Sequence, residues 1–183
     1  MGAAREFATI SVMCSLLLVL SCSAPNNGIS HAEESYRSGV NFQEQGRLEE
    51  AIVAYDEAIR LDPDLAAAYS VYNNRGRSYA GLGHHELAIR DLNEAIRINP
   101  QYAAAYNNRG RSYAGLDQPQ RAIDDFDLAI RLNPEYAAAY NNRGRSYAGL
   151  GQHGLAVRDL DEAIRMNASY AATYNNLGFF YDD

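Results

Sequence analysis

Lysine and tryptophan are absent from this 183-residue chain, and all 16 of its basic residues are arginine. Cysteine is nearly absent too. Cys14 lies inside an N-terminal apolar run, so a chain that loses that run keeps at most Cys22, and no intramolecular disulfide can form. Positive charge is outnumbered: 23 acids leave a net charge of −7. A general nucleic-acid binder would need a broadly basic surface, so that class is excluded. The apolar run "ATISVMCSLLLVL" (8–20) is too short to span a bilayer comfortably and suits the core of a signal peptide. Also missing are a glycine-rich phosphate loop, a Ser–His–Asp set and a Cys–His cluster, so the chain is read as non-enzymatic, with no cofactor or metal. What remains, 47% hydrophobic and 21% charged, is the composition of a folded soluble body.

The abundant feature is repetition. "YNNRGRSYAGL" occurs at 72–82, 106–116 and 140–150, each copy 34 residues after the last, and a degraded copy, "YNNLGFFYDD", begins 34 residues on at Tyr174. Aligning the flanks gives units at 32–65, 69–102, 103–136 and 137–170, with a truncated fifth at 171–183. Each unit holds two helical patterns. In the first, Tyr72, Gly76 and Tyr79 fall at i, i+4 and i+7, one face of a helix. In the second, Leu87, Ala88, Leu92, Ala95 and Ile96 share one face and the charges take the other. "GLG" and "GLD" make short breaks suited to antiparallel helix pairs, and Pro63, Pro100 and Pro134 end the second helices.

This pattern resembles the tetratricopeptide repeat (TPR) family, whose period of about 34 carries aromatic, glycine, tyrosine, alanine and proline at fixed places. The matching residues are Tyr72, Tyr106 and Tyr140; Gly39, Gly76, Gly110 and Gly144; Phe42, Tyr79, Tyr113 and Tyr147. Alanine recurs at Ala51 and Ala58, Ala88 and Ala95, Ala122 and Ala129, and Ala156 and Ala163. The resemblance implies an all-α fold, a right-handed α-solenoid of antiparallel helix pairs. Two departures stand out: Arg75, Arg109 and Arg143 occupy a place where the family carries leucine, and Ser35 stands where the first unit should have an aromatic residue.

In such an array the first helices line a concave face. The resemblance puts Asn73, Asn74 and Arg77 on it, with Asn107, Asn108, Arg111, Asn141, Asn142, Arg145 and Asn176. Arg75 is two residues from Arg77, roughly 200° around the helix, so the two cannot serve one surface. The Arg75 set should enter the seam between helices, with Asp91, Asp125 and Asp159, or Glu94 and Glu162, as partners. With a leucine-like site assumed there, Arg109→Leu is expected to be tolerated or stabilising. Segments 69–82, 103–116 and 137–150 hold six arginines and no acid, a basic lining in an acidic protein. An asparagine amide offers donor and acceptor together, matching an extended peptide's backbone. The expected function is therefore non-catalytic binding of an extended, acidic or carboxylate-ended peptide by a monomer. The alternatives are a scaffold or assembly subunit using its ends or convex face, for which Phe179, Phe180 and Tyr181 speak, a face that is merely solvated, or an unrecognised enzyme. His84 and His85 read as exposed turn residues and "NAS" (167–169) as a chance match to a glycosylation signal.

The N-terminus adds a location. "VLSC" (19–22) resembles the lipobox of bacterial lipoproteins, with Val19 where leucine is usual and Cys22 as the lipid attachment site. That gives a signal peptide at 1–21 and a tether at 22–31, and Ser23 lacks the aspartate that signals inner-membrane retention. An outer-membrane lipoprotein facing the periplasm is expected, its only membrane contact the lipid. Cleavage after Ala24, giving a secreted or periplasmic protein, and an uncleaved anchor remain open.

Overall fold

The computed structural model describes residues 30–63 and 68–170. Its elements are α1 (His31–Glu44), α2 (Leu48–Leu61), α3 (Ala68–Gly81), α4 (His85–Ile98), α5 (Ala103–Gly115), α6 (Pro119–Leu132), α7 (Ala137–Gly149) and α8 (His153–Met166), followed by a 3-10 turn at Ala168–Tyr170. No strand occurs among the described residues.

The turn inside each pair comes from local chain chemistry. At the end of α3, Gly83 takes a φ of +78° and the His84 amide donates back to the Tyr79 carbonyl at 2.9 Å. This closes the helix with a left-handed residue, where glycine has no Cβ to clash. The turn after α5 repeats the bond, Gln118 to Tyr113 at 2.9 Å, but with Asp117 at φ +56° in the glycine's place. Aspartate tolerates that conformation better than most residues.

Packing follows from side-chain size. α1 lies on α2, α3 on α4, α5 on α6 and α7 on α8, and each pair stacks on the next. Ala51, Ala58, Ala88, Ala95, Ala122 and Ala129 are fully buried in the even-numbered helices. Facing them, Gly39, Gly76, Gly110 and Gly144 let one large side chain approach, respectively Tyr55, Leu92, Phe126 and Leu160. All four of those side chains are essentially inaccessible. Close backbone approach filled by a ring or a leucine gives dense packing without long side chains. The odd-numbered helices also touch one another in succession, α1 with α3, α3 with α5, α5 with α7. Their outward faces therefore form one continuous wall.

The close approach is testable. A Cβ at Gly110 would fall 2.7 Å from Phe126 Cε1 and 3.0 Å from the Ala122 carbonyl oxygen, whereas one at Gly149 meets nothing within 4 Å. Gly110→Ala is expected to destabilise by about 1–3 kcal/mol through overpacking. Gly149→Ala should be neutral or gain about 0.5–1 kcal/mol of helix propensity. Thermal or urea unfolding of the two variants checks the difference in sign.

Candidate functional site

The two arginine sets part as their helical angles require. On the seam side, Arg75 makes a two-pronged contact with Asp91, Nε and Nη2 each 2.7 Å from a carboxylate oxygen, and its Nη1 reaches Asp56 Oδ1 at 2.5 Å. Arg109 does the same with Asp125 at 2.8 and 2.6 Å, its Nη1 reaching Asn93 Oδ1 at 2.7 Å. Arg143 holds Asp159 at 2.6 and 2.7 Å and Asp127 at 2.5 Å. Each guanidinium thus joins three helices: its own, the partner in its pair, and the second helix of the preceding pair. Tyr72, Tyr106 and Tyr140 flank the three guanidiniums, with centroids 5.4–5.5 Å away. Burial is the largest single influence and opposes the charge, but the carboxylate hydrogen bonds and Coulombic attraction together outweigh it, and all three guanidiniums are held above their ordinary pKa. Glu94 and Glu162, the other candidate partners, instead pair along their own helices with Arg97 and Arg165. Asp56, Asn93 and Asp127 were not legible as partners, because their helices precede the arginine's own pair.

On the opposite side, Arg77, Arg111 and Arg145 are exposed, and none has an ion-pair partner among the described residues. They stand beside a cavity of about 430 Å³ that is lined by Asn73, Asn74, Asn107, Asn108, Asn141, Asn142 and all three arginines. Tyr102, Ala104, Tyr136 and Ala138 complete the lining. Those two tyrosines were missed as site residues, although "NPQYAAAY" and "NPEYAAAY" carry them at the repeat spacing. Asn176 and Cys22 lie outside the described residues, as do Phe179, Phe180 and Tyr181.

The asparagines are less open than a peptide-facing ladder would require. Asn73, Asn107, Asn108 and Asn141 are buried. Asn108 donates from Nδ2 to Asn73 Oδ1 at 2.8 Å, and Asn142 to Asn107 Oδ1 at 3.0 Å. In the first interface Asn74 donates to the Tyr36 hydroxyl at 3.3 Å, Tyr36 sitting at the same register as those acceptors. The second asparagine of each pair therefore ties its helix to the preceding odd-numbered helix. A buried amide satisfied across a helix interface is a structural fastener first. Asn141 Oδ1 is buried with no hydrogen-bond partner among the described residues.

His84 is exposed, but His85 departs from the expected turn position. It opens α4 and is half-buried against α5, where a Cβ at Gly115 would collide with its imidazole ring. No group of three potential metal ligands comes together among the described residues, and none of their helices is long and apolar enough to cross a membrane.

Comparison with known families decides what this array is. Family models described as TPR repeat match residues 41–83 and 76–117, and models described as tetratricopeptide repeat match 103–136 and 137–170. The chain belongs to the tetratricopeptide repeat family. It is a TPR protein-interaction module. Photosystem I assembly protein Ycf3 of Rippkaea orientalis is 30% identical over 99 residues, 54% of this chain and 56% of that protein. The TPR repeat-containing thioredoxin TTL4 of Arabidopsis thaliana is 36% identical over 78 residues, 43% of this chain but only 11% of that protein. Among solved structures, the thermophilic TPR protein TTC0263 of Thermus thermophilus superposes with a TM-score of 0.75 at 21% identity, covering 82% of this chain and 83% of that one, a likeness of fold. The first TPR of Spaghetti (RPAP3), bound to the HSP90 peptide SRMEEVD, gives a TM-score of 0.62 at 26% identity, covering 67% of this chain and 97% of that one.

The seam geometry reverses the expectation that leucine would serve at Arg109. Asp125 is buried, at 3% exposure, and removing the guanidinium strands its carboxylate. Breaking a fully buried pair costs roughly 3–5 kcal/mol. The Arg109 side chain keeps 18% of its surface, so Arg109→Leu should lose somewhat less, about 2–3 kcal/mol. Arg109→Leu/Asp125→Leu should recover most of that, because no charge is left unpaired. Urea unfolding of the single and double variants reads both.

Proposed function

We propose that this TPR array is a non-catalytic, monomeric binding module that takes an extended, acidic peptide segment in the groove of its odd-numbered helices. The observation that carries the reading is the division of the arginines. Six arginines lie on α3, α5 and α7, and three are neutralised by aspartates in the seam. Arg77, Arg111 and Arg145 are left as the charges of a cavity otherwise walled by amides and tyrosines. Guanidinium groups favour carboxylates, which they grip with two parallel bonds. The related RPAP3 repeat supports the choice of ligand: the peptide bound to it, SRMEEVD, contains three acids. Asn74 and Asn142 are half-buried and retain amide capacity towards the cavity.

Because each charged hydrogen bond is worth about 1.5–3 kcal/mol before ordering costs, Arg111→Leu should weaken binding of an acidic peptide roughly tenfold. Its melting temperature should barely move, since Arg111 is exposed and makes no ion pair among the described residues. Binding should also weaken as salt rises. Anisotropy titrations with acidic, neutral and basic peptide pools, paired with thermal melts, check this. Equal affinity of wild type and variant for the acidic pool would refute the assignment.

We further propose that residues 1–21 are a signal peptide and that Cys22 is lipidated, anchoring the array to a bacterial outer membrane on its periplasmic side. The support is the apolar run at 8–20 ending in "VLSC". Cys22→Ala expressed in a bacterial host should accumulate as an unprocessed, non-acylated precursor in a lipid-labelling experiment. A normally processed, soluble Cys22→Ala product would point to cleavage after Ala24.

A further inference from the structure

We infer that the groove is built for a polyproline II segment carrying a carboxylate at every third residue, Asp/Glu-x-x-Asp/Glu-x-x-Asp/Glu, one for each of Arg77, Arg111 and Arg145. This rests on the acidic-peptide reading above and narrows it to a spacing and a backbone conformation.

The first argument is register. Each groove arginine lies four residues after the first asparagine of its pair, at Asn73, Asn107 and Asn141. The amide bonds from Asn108 to Asn73 and from Asn142 to Asn107, at 2.8 and 3.0 Å, pin successive odd-numbered helices at the same level. The three guanidiniums therefore project from equivalent points, repeating at the helix-to-helix distance, about 8–10 Å. Among the described residues, each of α3, α5 and α7 offers the groove one arginine, because Arg75, Arg109 and Arg143 are held by aspartates in the seam.

The second argument compares that pitch with the ways a peptide can present a row of acids. A β-strand returns a side chain to one face every two residues, about 6.6–6.8 Å, or every four, about 13 Å, and neither spacing matches. A polyproline II helix has three residues per turn and a rise of about 3.1 Å, so every third side chain recurs on one face about 9.3 Å further on. An α-helix matches only at i, i+7, about 10.5 Å, but it is about 10–12 Å thick. Its backbone groups are already paired within the helix, so the asparagine amides lining the groove would find no backbone partner in it.

The third argument is the wall. Tyr102 and Tyr136 line the cavity one repeat apart, each half-buried. Tyrosine-lined grooves are the usual seat of polyproline II segments, whose conformation is set before binding and so costs little ordering entropy. Prolines at the intervening positions would meet these rings while the acids meet the arginines.

The test uses the full-length chain and three fluorescent peptides of identical composition, each with three glutamates among prolines and alanines. The glutamates are placed at i, i+3, i+6 in the first, at i, i+2, i+4 in the second, and contiguously in the third. A fourth peptide replaces the glutamates of the first with glutamine. The first peptide is expected to bind about tenfold tighter than the second and third, and Arg111→Gln should erase that advantage. If all three acidic peptides bind alike, or another spacing binds best, the register inference is overturned while the acidic-peptide reading stands. If none of the three outbinds the glutamine peptide, the acidic-peptide reading itself fails.

Discussion

Each seam guanidinium is gripped by helices on both sides of its own, and the orientation of the odd-numbered helices depends on that grip. Arg75, Arg109 and Arg143 each spend two nitrogens on the aspartate of their own pair and a third on a side chain of the preceding pair. A leucine at that place would contribute burial, which is indifferent to rotation by a few degrees. A planar fork bound to a fixed carboxylate is not, because bidentate geometry restricts both distance and direction. Once it is set, the residue two places on must face the other way. The exposure of Arg77, Arg111 and Arg145 in the groove is thus a consequence of how Arg75, Arg109 and Arg143 are buried.

The asparagine row works from the opposite wall of the same helices. Its amide bonds join each odd-numbered helix to the one before it, beginning at Tyr36 and running through Asn73 and Asn107. Carboxylates hold the seam side of the odd-numbered helices and amides the groove side. An amide is uncharged, so it fastens the groove wall without cancelling the groove's positive charge. An acid in the same place would have paired with the neighbouring arginine and removed it from solvent. The separation of charge in this acidic protein is therefore a property of which residue type fastens which side.

Sequence alone determined the helix pairs, their antiparallel order and the small-residue faces, since a 34-residue period, alternating patterns and left-handed turn residues are local signals. It also separated the two arginine sets, because 200° of helical rotation is arithmetic on a known geometry. Asp91, Asp125 and Asp159 were legible as partners through their shared register, though not as the choice over Glu94 and Glu162. Tertiary structure decided that choice, the third partner of each guanidinium, and the fact that Asn108 and Asn142 bond to neighbouring helices. Each depends on side chains from different helices converging within about 3 Å, a hydrogen-bond tolerance far finer than periodicity specifies. Tyr102 and Tyr136 entered the groove for the same reason. A residue at the mouth of a helix acquires its neighbours only when the next repeat is stacked against it.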